Sequence, residues 1–424
     1  MSLFFARLCS SFHTPLAKTR ATRRMSSSSY IDTLFNNVPP NYPVPVAAPM
    51  VSQSEFAFRE LCRIHGTKLT FTQMIHAKNF VLSEKHRKDN YDFNPALEGL
   101  KHDAPVIAQL AGNDADVILE AAKMIESTGI DGIDLNLGCP QRIAKKGNYG
   151  AFLLPSTDVI CEIVSKLANS LTVPVSVKIR LQGPEKDLAT VRRLEEAGAS
   201  LITVHGRTVK ENKTATKECN RPAIKRIVDN TNVPIIGNGG VEFLSDVAKF
   251  GASTGVVGVM SSEALLENPA LFEFDDLSRK SKTDFDLTVN QIYTRQLALA
   301  KEYLALCKEY PPIGIGQFGG SSTCKAHIFK ILYRLFNRRE NVDLRNKLGL
   351  PQTNQVEMTA AIVQELEDRY LGRVLSHEGE SIDDCIRDSW YRRHRSPAEE
   401  ILPLMTKTIS IEERKKSIRA RLKM

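Results

Sequence analysis

At 424 residues, with 42% hydrophobic content and 57 Lys/Arg against 49 Asp/Glu, the chain can bury a large core and carries a formal charge of +8. No apolar run of about 20 residues occurs, which argues against a transmembrane helix. The eight cysteines contain no Cys-x-x-Cys pair, so neither a metal site nor a disulfide framework is indicated and a reducing compartment fits.

Residues 1–30 hold five basic groups and no acidic one, with Leu3, Phe4, Phe5, Leu8 and Phe12 interspersed. This is the composition of a mitochondrial transit peptide, or of a disordered basic leader with Met25 as an internal start. From there a regular beat of strands and helices predicts a catalytic domain over 40–275. Expected strands are Pro45–Met50, Leu69–Ile75, Pro105–Ala111, Gly132–Cys139, Pro174–Arg180, Leu201–Gly206, Pro234–Asn238 and Gly255–Met260. Helical periodicity falls between them, at Asp114–Ser127, Asp158–Leu171, Leu188–Ala197 and Pro222–Asn230. Eight strands, apolar on both faces and alternating with helices, predict an α/β fold of the (β/α)8 TIM-barrel type rather than a doubly wound sheet. A charged linker at Glu273–Asp286 leads into a C-terminal helical domain over 287–375. Its expected helices are Gln291–Lys308, Cys324–Arg339 and Gln355–Leu371, with a Gly/Pro loop at Pro311–Ser322. Residues 376–424 read as a charged, partly disordered tail. Residues 287–424 carry 23 basic and 17 acidic groups, which suits either a docked polyanion or a solvated helical surface.

Barrels of this kind place their chemistry at strand C-termini. Those ends bring forward Pro49-Met50-Val51, Gln109, Asn136 and Cys139, Lys178 and Arg180, His205 and Arg207, Asn238-Gly239-Gly240, and Met260-Ser261-Ser262. Glycines after strand seven let a backbone approach phosphate, and N–H groups at the following helix starts face an anion. A lysine within an apolar strand needs an anion or a polarised ring as company. Gln109 offers donor and acceptor to a flat ring with an imide edge. His205 alone reads equally well as structure.

The segments Ala48-Pro49-Met50, Asp134-Leu135-Asn136-Leu137-Gly138-Cys139-Pro140-Gln141, Ala144-Lys145-Lys146-Gly147-Asn148-Tyr149-Gly150-Ala151-Phe152-Leu153, Lys178-Ile179-Arg180, Val204-His205-Gly206-Arg207-Thr208 and Asn238-Gly239-Gly240 resemble the tRNA-dihydrouridine synthases. The eukaryotic branch acting on positions 16 and 17 of the D-loop is the most similar, through Gln141 and Asn268-Pro269-Ala270-Leu271-Phe272. The likeness covers about residues 44–275 well, and the helical region more weakly through Cys324-Lys325-Ala326-His327.

The resemblance implies an FMN enzyme re-reduced by NADPH, NADH being the other candidate donor. It implies that Pro49, Met50 and Val51 lie against the flavin, that Gln109 and Lys178 bond its polar edge, and that His205 flanks the phosphate. Asn238, Gly239, Gly240, Ser262 and Glu263 make the cradle. Bacterial relatives have Gly-Arg at the last two positions, so the acidic Glu263 leaves backbone donors there. Asn220-Arg221-Pro222 departs from the usual Ala-Asp-Trp. Hydride addition at uracil C6 leaves C5 in need of a proton, and Cys139 as a neutral thiol suits that step. Asn136, Lys145, Arg180 and Arg207 are expected around the base. The target nucleotide must be extruded to be reached. Lys330, Arg334 and Arg338, spaced i, i+4, i+8, are expected as a tRNA-docking stripe. The resemblance also implies a cytoplasmic or nuclear protein; protein partners are not indicated. Open alternatives are a synthase of the 20a/20b class, a small-molecule FMN oxidoreductase, and a non-catalytic RNA-binding module.

Overall fold

A computed structural model describes residues 33–35, 38–39, 42–93, 103–212, 215–273, 288–314, 319–350, 356–371 and 382–393. The expected leader, most of the linker and the chain beyond 393 lie outside these residues. Among them, no helix is long and apolar enough to cross a membrane.

Among the described residues, nine parallel strands form one sheet: β1 (Val44–Ala47), β2 (Thr70–Phe71), β3 (Ile75–His76), β4 (Val106–Ala111), β5 (Gly132–Leu137), β6 (Val175–Leu181), β7 (Leu201–Thr208), β8 (Ile235–Asn238) and β9 (Gly258–Ser261). β1 pairs with β9, and the Val46–Leu69 bridge closes the ring. The Ala47 N–H donates to the Leu69 carbonyl at 2.9 Å across that seam. β2 and β3 both pair with β4 and share one stave, so the barrel has the expected eight. The expected strand Leu69–Ile75 is thus two short pieces. Gln73 interrupts it, because its side chain accepts from the Ser52 N–H at 2.8 Å and donates to the Asn90 carbonyl at 3.0 Å.

β4 and β5 are buried at every residue, as strands covered by helices must be. The covering helices include α1 (Phe56–Ile64), α2 (Ala115–Glu126), α3 (Arg142–Lys146), α4 (Thr157–Ser170), α5 (Pro184–Glu196), α6 (Arg221–Val228), α7 (Leu244–Thr254) and the one-turn α8 (Glu263–Glu267). Their ends follow local chemistry. Asp114 caps α2 by accepting from Asp116 and Val117, each at 3.0 Å, and Asn220 caps α6.

The helical region packs directly on the barrel. α9 (Val289–Glu309) opens with a capping box between Thr288 and Gln291 and lies against α1. α10 (Gly319–Ile331) is followed by the short α11 (Tyr333–Phe336), then α12 (Val342–Gly349) and α13 (Val356–Leu371). Two expectations change here. The single helix Cys324–Arg339 is broken at Leu332, and α10 begins inside the expected Pro311–Ser322 loop. The expected disordered tail also has an ordered portion. α14 (Ile382–Arg387) and the turn after it bury Cys385, Ile386, Ser389 and Tyr391.

Candidate active site

Parallel register gathers the strand-end residues into one mouth. Gln109 stands opposite Asp134, Asn136 opposite Lys178, Arg180 opposite His205, and His205 opposite Asn238. Residues two apart on a strand share a face, so Asp134 and Asn136 point the same way.

A hydrogen-bonded chain runs across the barrel floor to the cysteine loop. Ser176 Oγ donates to Asp134 Oδ1 at 2.6 Å, and Gln109 Nε2 donates to Asp134 Oδ2 at 2.8 Å. Asn136 Nδ2 donates to Gln109 Oε1 at 2.7 Å, while Asn136 Oδ1 accepts the N–H groups of Gly138 at 3.1 Å and Cys139 at 3.0 Å. Burial pushes the Asp134 carboxyl up to about 6, with the bonds from Ser176 and Gln109 offsetting part of the rise. Gln109 is fully buried, and one donor and one acceptor site of its amide are committed to this chain.

The Cys139 main chain is held from the other side too. Arg180 Nε donates to the Gly138 carbonyl at 2.8 Å, and the Ala151 N–H donates to the Cys139 carbonyl at 3.1 Å. Gly150 has φ +63°, and a Cβ there would lie 2.9 Å from the Cys139 carbonyl oxygen, so only glycine allows this approach. The Cys139 thiol is half-buried. Desolvation raises its pKa, opposed by the Gln141 N–H, Arg180 and Lys178, and it stays protonated at neutral pH. Tyr149 shares an apolar cluster with Cys139, Met74 and Phe152, and meets the His76 ring edge to face at 5.2 Å.

On the far wall Lys178 Nζ donates to Asn238 Oδ1 at 3.0 Å, and Asn238 Nδ2 donates to the Met260 carbonyl at 2.9 Å. Burial, then the charge of Arg180, pull Lys178 down to about 8, and burial with Arg207 pulls Arg180 to about 10. Burial also holds His205 well below its ordinary range, so it is neutral; its Nε2 lies 3.3 Å from an Arg207 nitrogen.

Next to this wall opens a cavity of about 210 Å³, lined by Arg180, His205, Arg207, Asn238, Gly239, Gly240, Ser262 and Glu263, among others. Gly239 has φ +109°, and a Cβ there would crowd His205 at 3.0 Å and Arg207 at 3.3 Å, intruding on the cradle. Two buried guanidinium groups beside a backbone free of side chains fit a phosphate monoester. α8 is too short to add a helix dipole of consequence. The Glu263 carboxylate is engaged by Arg393 at 3.2 Å.

Pro49 and Met50 lie on the loop after β1, where the Met50 N–H donates to Ser54 Oγ at 2.8 Å; Val51 is half exposed. Lys145 is exposed on α3, together with Arg142, Ile143 and Lys146.

The expected docking stripe is corrected. Lys330 is buried with its ammonium over the Trp390 ring at 5.5 Å, and burial takes it down to about 8. Arg334 is buried against Glu267 at 3.1 Å, and Arg338 contacts Glu340 and the Tyr293 hydroxyl, each at 3.1 Å. The break at Leu332 and these partners turn the three side chains toward the protein, leaving no exposed basic row. Asp134, His76 and Tyr149 are additions to the sequence-derived set. Only Asp134 carried a signal, as a carboxylate on an otherwise apolar strand, on the same face as Asn136.

A closed parallel barrel with a thiol at one strand end and a cationic, glycine-lined cradle in its mouth places the protein among the α/β barrels that keep their site at the strand C-termini. Its family follows from sequence. The profile described as Dihydrouridine synthase (Dus) matches residues 46–363, and the chain belongs to that family. The tRNA-dihydrouridine(16/17) synthase [NAD(P)(+)] of Saccharomyces cerevisiae is 37% identical over 293 residues, covering 68% of this chain and 65% of the relative. The protein of the same description from Schizosaccharomyces pombe is 31% identical over 388 residues, 87% of this chain and 92% of the relative. A tRNA-dihydrouridine(20a/20b) synthase-like protein of Mus musculus is 38% identical over 233 residues, 54% of this chain and 69% of the relative. The chain thus spans just under two thirds of the length of the budding yeast relative.

Proposed function

We propose that this protein reduces uridine to 5,6-dihydrouridine in the D-loop of tRNA, at positions 16 and 17, using FMN and NADPH or NADH. The observation that carries the reading is Cys139: a protonated, half-buried thiol fixed through its main chain at a strand end, in the mouth that also holds Lys178 and the phosphate-fitting cradle. Gly239, Gly240, His205 and Arg207 would hold the phosphate, with Ser262 at its edge. Lys178, Asn238 and the apolar Pro49-Met50 loop would border the ring, with Gln109 beneath.

When bound, reduced FMN supplies the hydride that adds to uracil C6. Cys139 then delivers its proton from Sγ to C5, and the thiolate left behind faces the positive charges of Arg180 and Lys178. Water returns the proton, so one uridine, one NADPH and one proton become dihydrouridine and NADP⁺. Asn136 and Arg180 keep the thiol at a constant position through the main chain of residues 138–139. The exposed Arg142, Lys145 and Lys146 offer phosphate contacts at the rim, where an extruded nucleotide enters. Nothing in this chemistry needs a metal or a membrane, and the cytoplasm or nucleus is where we place it.

Position 16/17 is favoured because likeness to such synthases extends through the helical region, whereas the 20a/20b relative aligns over 54% of the chain. Mass spectrometry of tRNA from a deletion strain tests this. Uridines 16 and 17 should each lack the two added hydrogens; loss at 20a or 20b instead would reassign the position, and no change would remove the activity. Flavin absorbance in the purified protein tests the cofactor independently.

A further inference from the structure

Residues 389–393 lie far beyond the last barrel strand in sequence, yet they return to the rim of the anion cavity. Tyr391 lines that cavity together with Arg180, Arg207, Gly239 and Gly240. Three successive residues each reach an acidic group on the loop after β8 or on α8. The Tyr391 N–H donates to Glu267 Oε2 at 3.1 Å. Arg392 forks onto Glu242, Nε to Oε1 at 2.6 Å and the second nitrogen to Oε2 at 3.1 Å. Arg393 reaches Glu263 at 3.2 Å while its guanidinium stacks on Trp390 at 3.5 Å from the ring centre. Trp390 is in turn wedged against Phe329 and Tyr333, at 5.9 and 5.4 Å.

Bidentate arginine–carboxylate pairs fix position as well as charge. The electrostatic consequence is specific. Glu263 lines a cavity suited to a phosphate monoester and Glu242 directly follows Val241, which also lines it; without partners these carboxylates would repel a dianion. Arg392 and Arg393 neutralise both.

We propose that residues 389–393 form the outer wall of the phosphate site, with Tyr391 closing the cavity and Arg392 and Arg393 cancelling the rim carboxylates. This rests on the flavin reading above. It makes the phosphate cradle a composite of the barrel and a segment anchored on the helical region through Trp390.

The test compares FMN with riboflavin, which lacks the phosphate, on flavin-stripped full-length protein by fluorescence titration. In the Tyr391→Ala variant and the Arg392→Gln/Arg393→Gln double variant, FMN affinity should fall by about tenfold or more while riboflavin affinity stays within about twofold. Unchanged FMN affinity in folded variants would overturn the proposal. A wild-type protein that binds neither flavin would instead overturn the cofactor reading. A second measurement needs no variant: hydrogen exchange of residues 388–393 in wild-type protein should slow on adding FMN and not riboflavin. Equal exchange with and without FMN would also overturn it.

Discussion

Asn136 grips Cys139 by its main chain: one side-chain oxygen accepts the N–H groups of Gly138 at 3.1 Å and Cys139 at 3.0 Å. The same amide is oriented by Gln109, which accepts from Asn136 Nδ2 at 2.7 Å. The thiol therefore inherits its position from the barrel floor as well as from Arg180 and Ala151 on its other side. Asn136→Ala should leave two N–H groups without their acceptor, costing about 1–3 kcal/mol of stability. It should lower kcat for dihydrouridine formation by about 100-fold while flavin content and NADPH oxidation are retained. Equal loss of flavin would show that Asn136 serves the cofactor instead.

Asp134 gives stability a pH signature. Burial raises its folded pKa to about 6, so the folded state holds this proton more tightly than the unfolded chain. The resulting stabilisation is full below the unfolded value of about 4 and is lost as pH rises through about 6. Across that window it amounts to roughly 2–3 kcal/mol, on an order-of-magnitude basis. Denaturant unfolding at pH 4.5 and 7.5 should show this fall in wild type, and Asp134→Asn should remove it.

Lys178 gives cofactor binding the opposite edge of the pH range. Its pKa is pulled down to about 8 by burial and Arg180, so it is charged at neutral pH and loses its proton just above. Flavin affinity of the stripped protein should weaken as pH rises through about 8. Lys178→Met should bind flavin more weakly at pH 7 and lose that dependence. An affinity flat from pH 7 to 9 in wild type would separate Lys178 from the ring.

Under the proposed function, the exposed rim of α3 would carry the docking role expected of Lys330, Arg334 and Arg338. Charge reversal at Arg142, Lys145 and Lys146 should weaken tRNA binding at low salt and flatten its salt dependence by about one unit of log–log slope per lost contact. Reversal at Lys330 or Arg334 should instead destabilise the fold, since both side chains are buried. Electrophoretic binding assays across salt, beside thermal melts, distinguish the two.

The barrel was readable from sequence because its strands are buried on both faces, leaving long apolar runs with polar residues at their ends. Lys178, Arg180, His205 and Asn238 were visible for that reason. The second stave was readable too, but its break was not, since Gln73 interrupts it with bonds to Ser52, in the loop after β1, and to Asn90, at the end of a helix. Asp134 was passed over although it shares a face with Asn136, because its partners Gln109 and Ser176 sit on other strands. In the helical region, spacing placed Lys330 and Arg334 on one side of a helix but could not tell what that side meets. Trp390 and Glu267 meet it, from distant positions in the chain.

The account stands on Cys139 as the proton donor to a base reduced at the flavin. Purified wild type and Cys139→Ala, each with FMN and NADPH, should be incubated with unmodified tRNA and the D-loop fragments weighed. Wild type should add two hydrogens at uridines 16 and 17, while Cys139→Ala binds FMN and oxidises NADPH yet adds almost none. Wild-type yield from the alanine variant would contradict the claim.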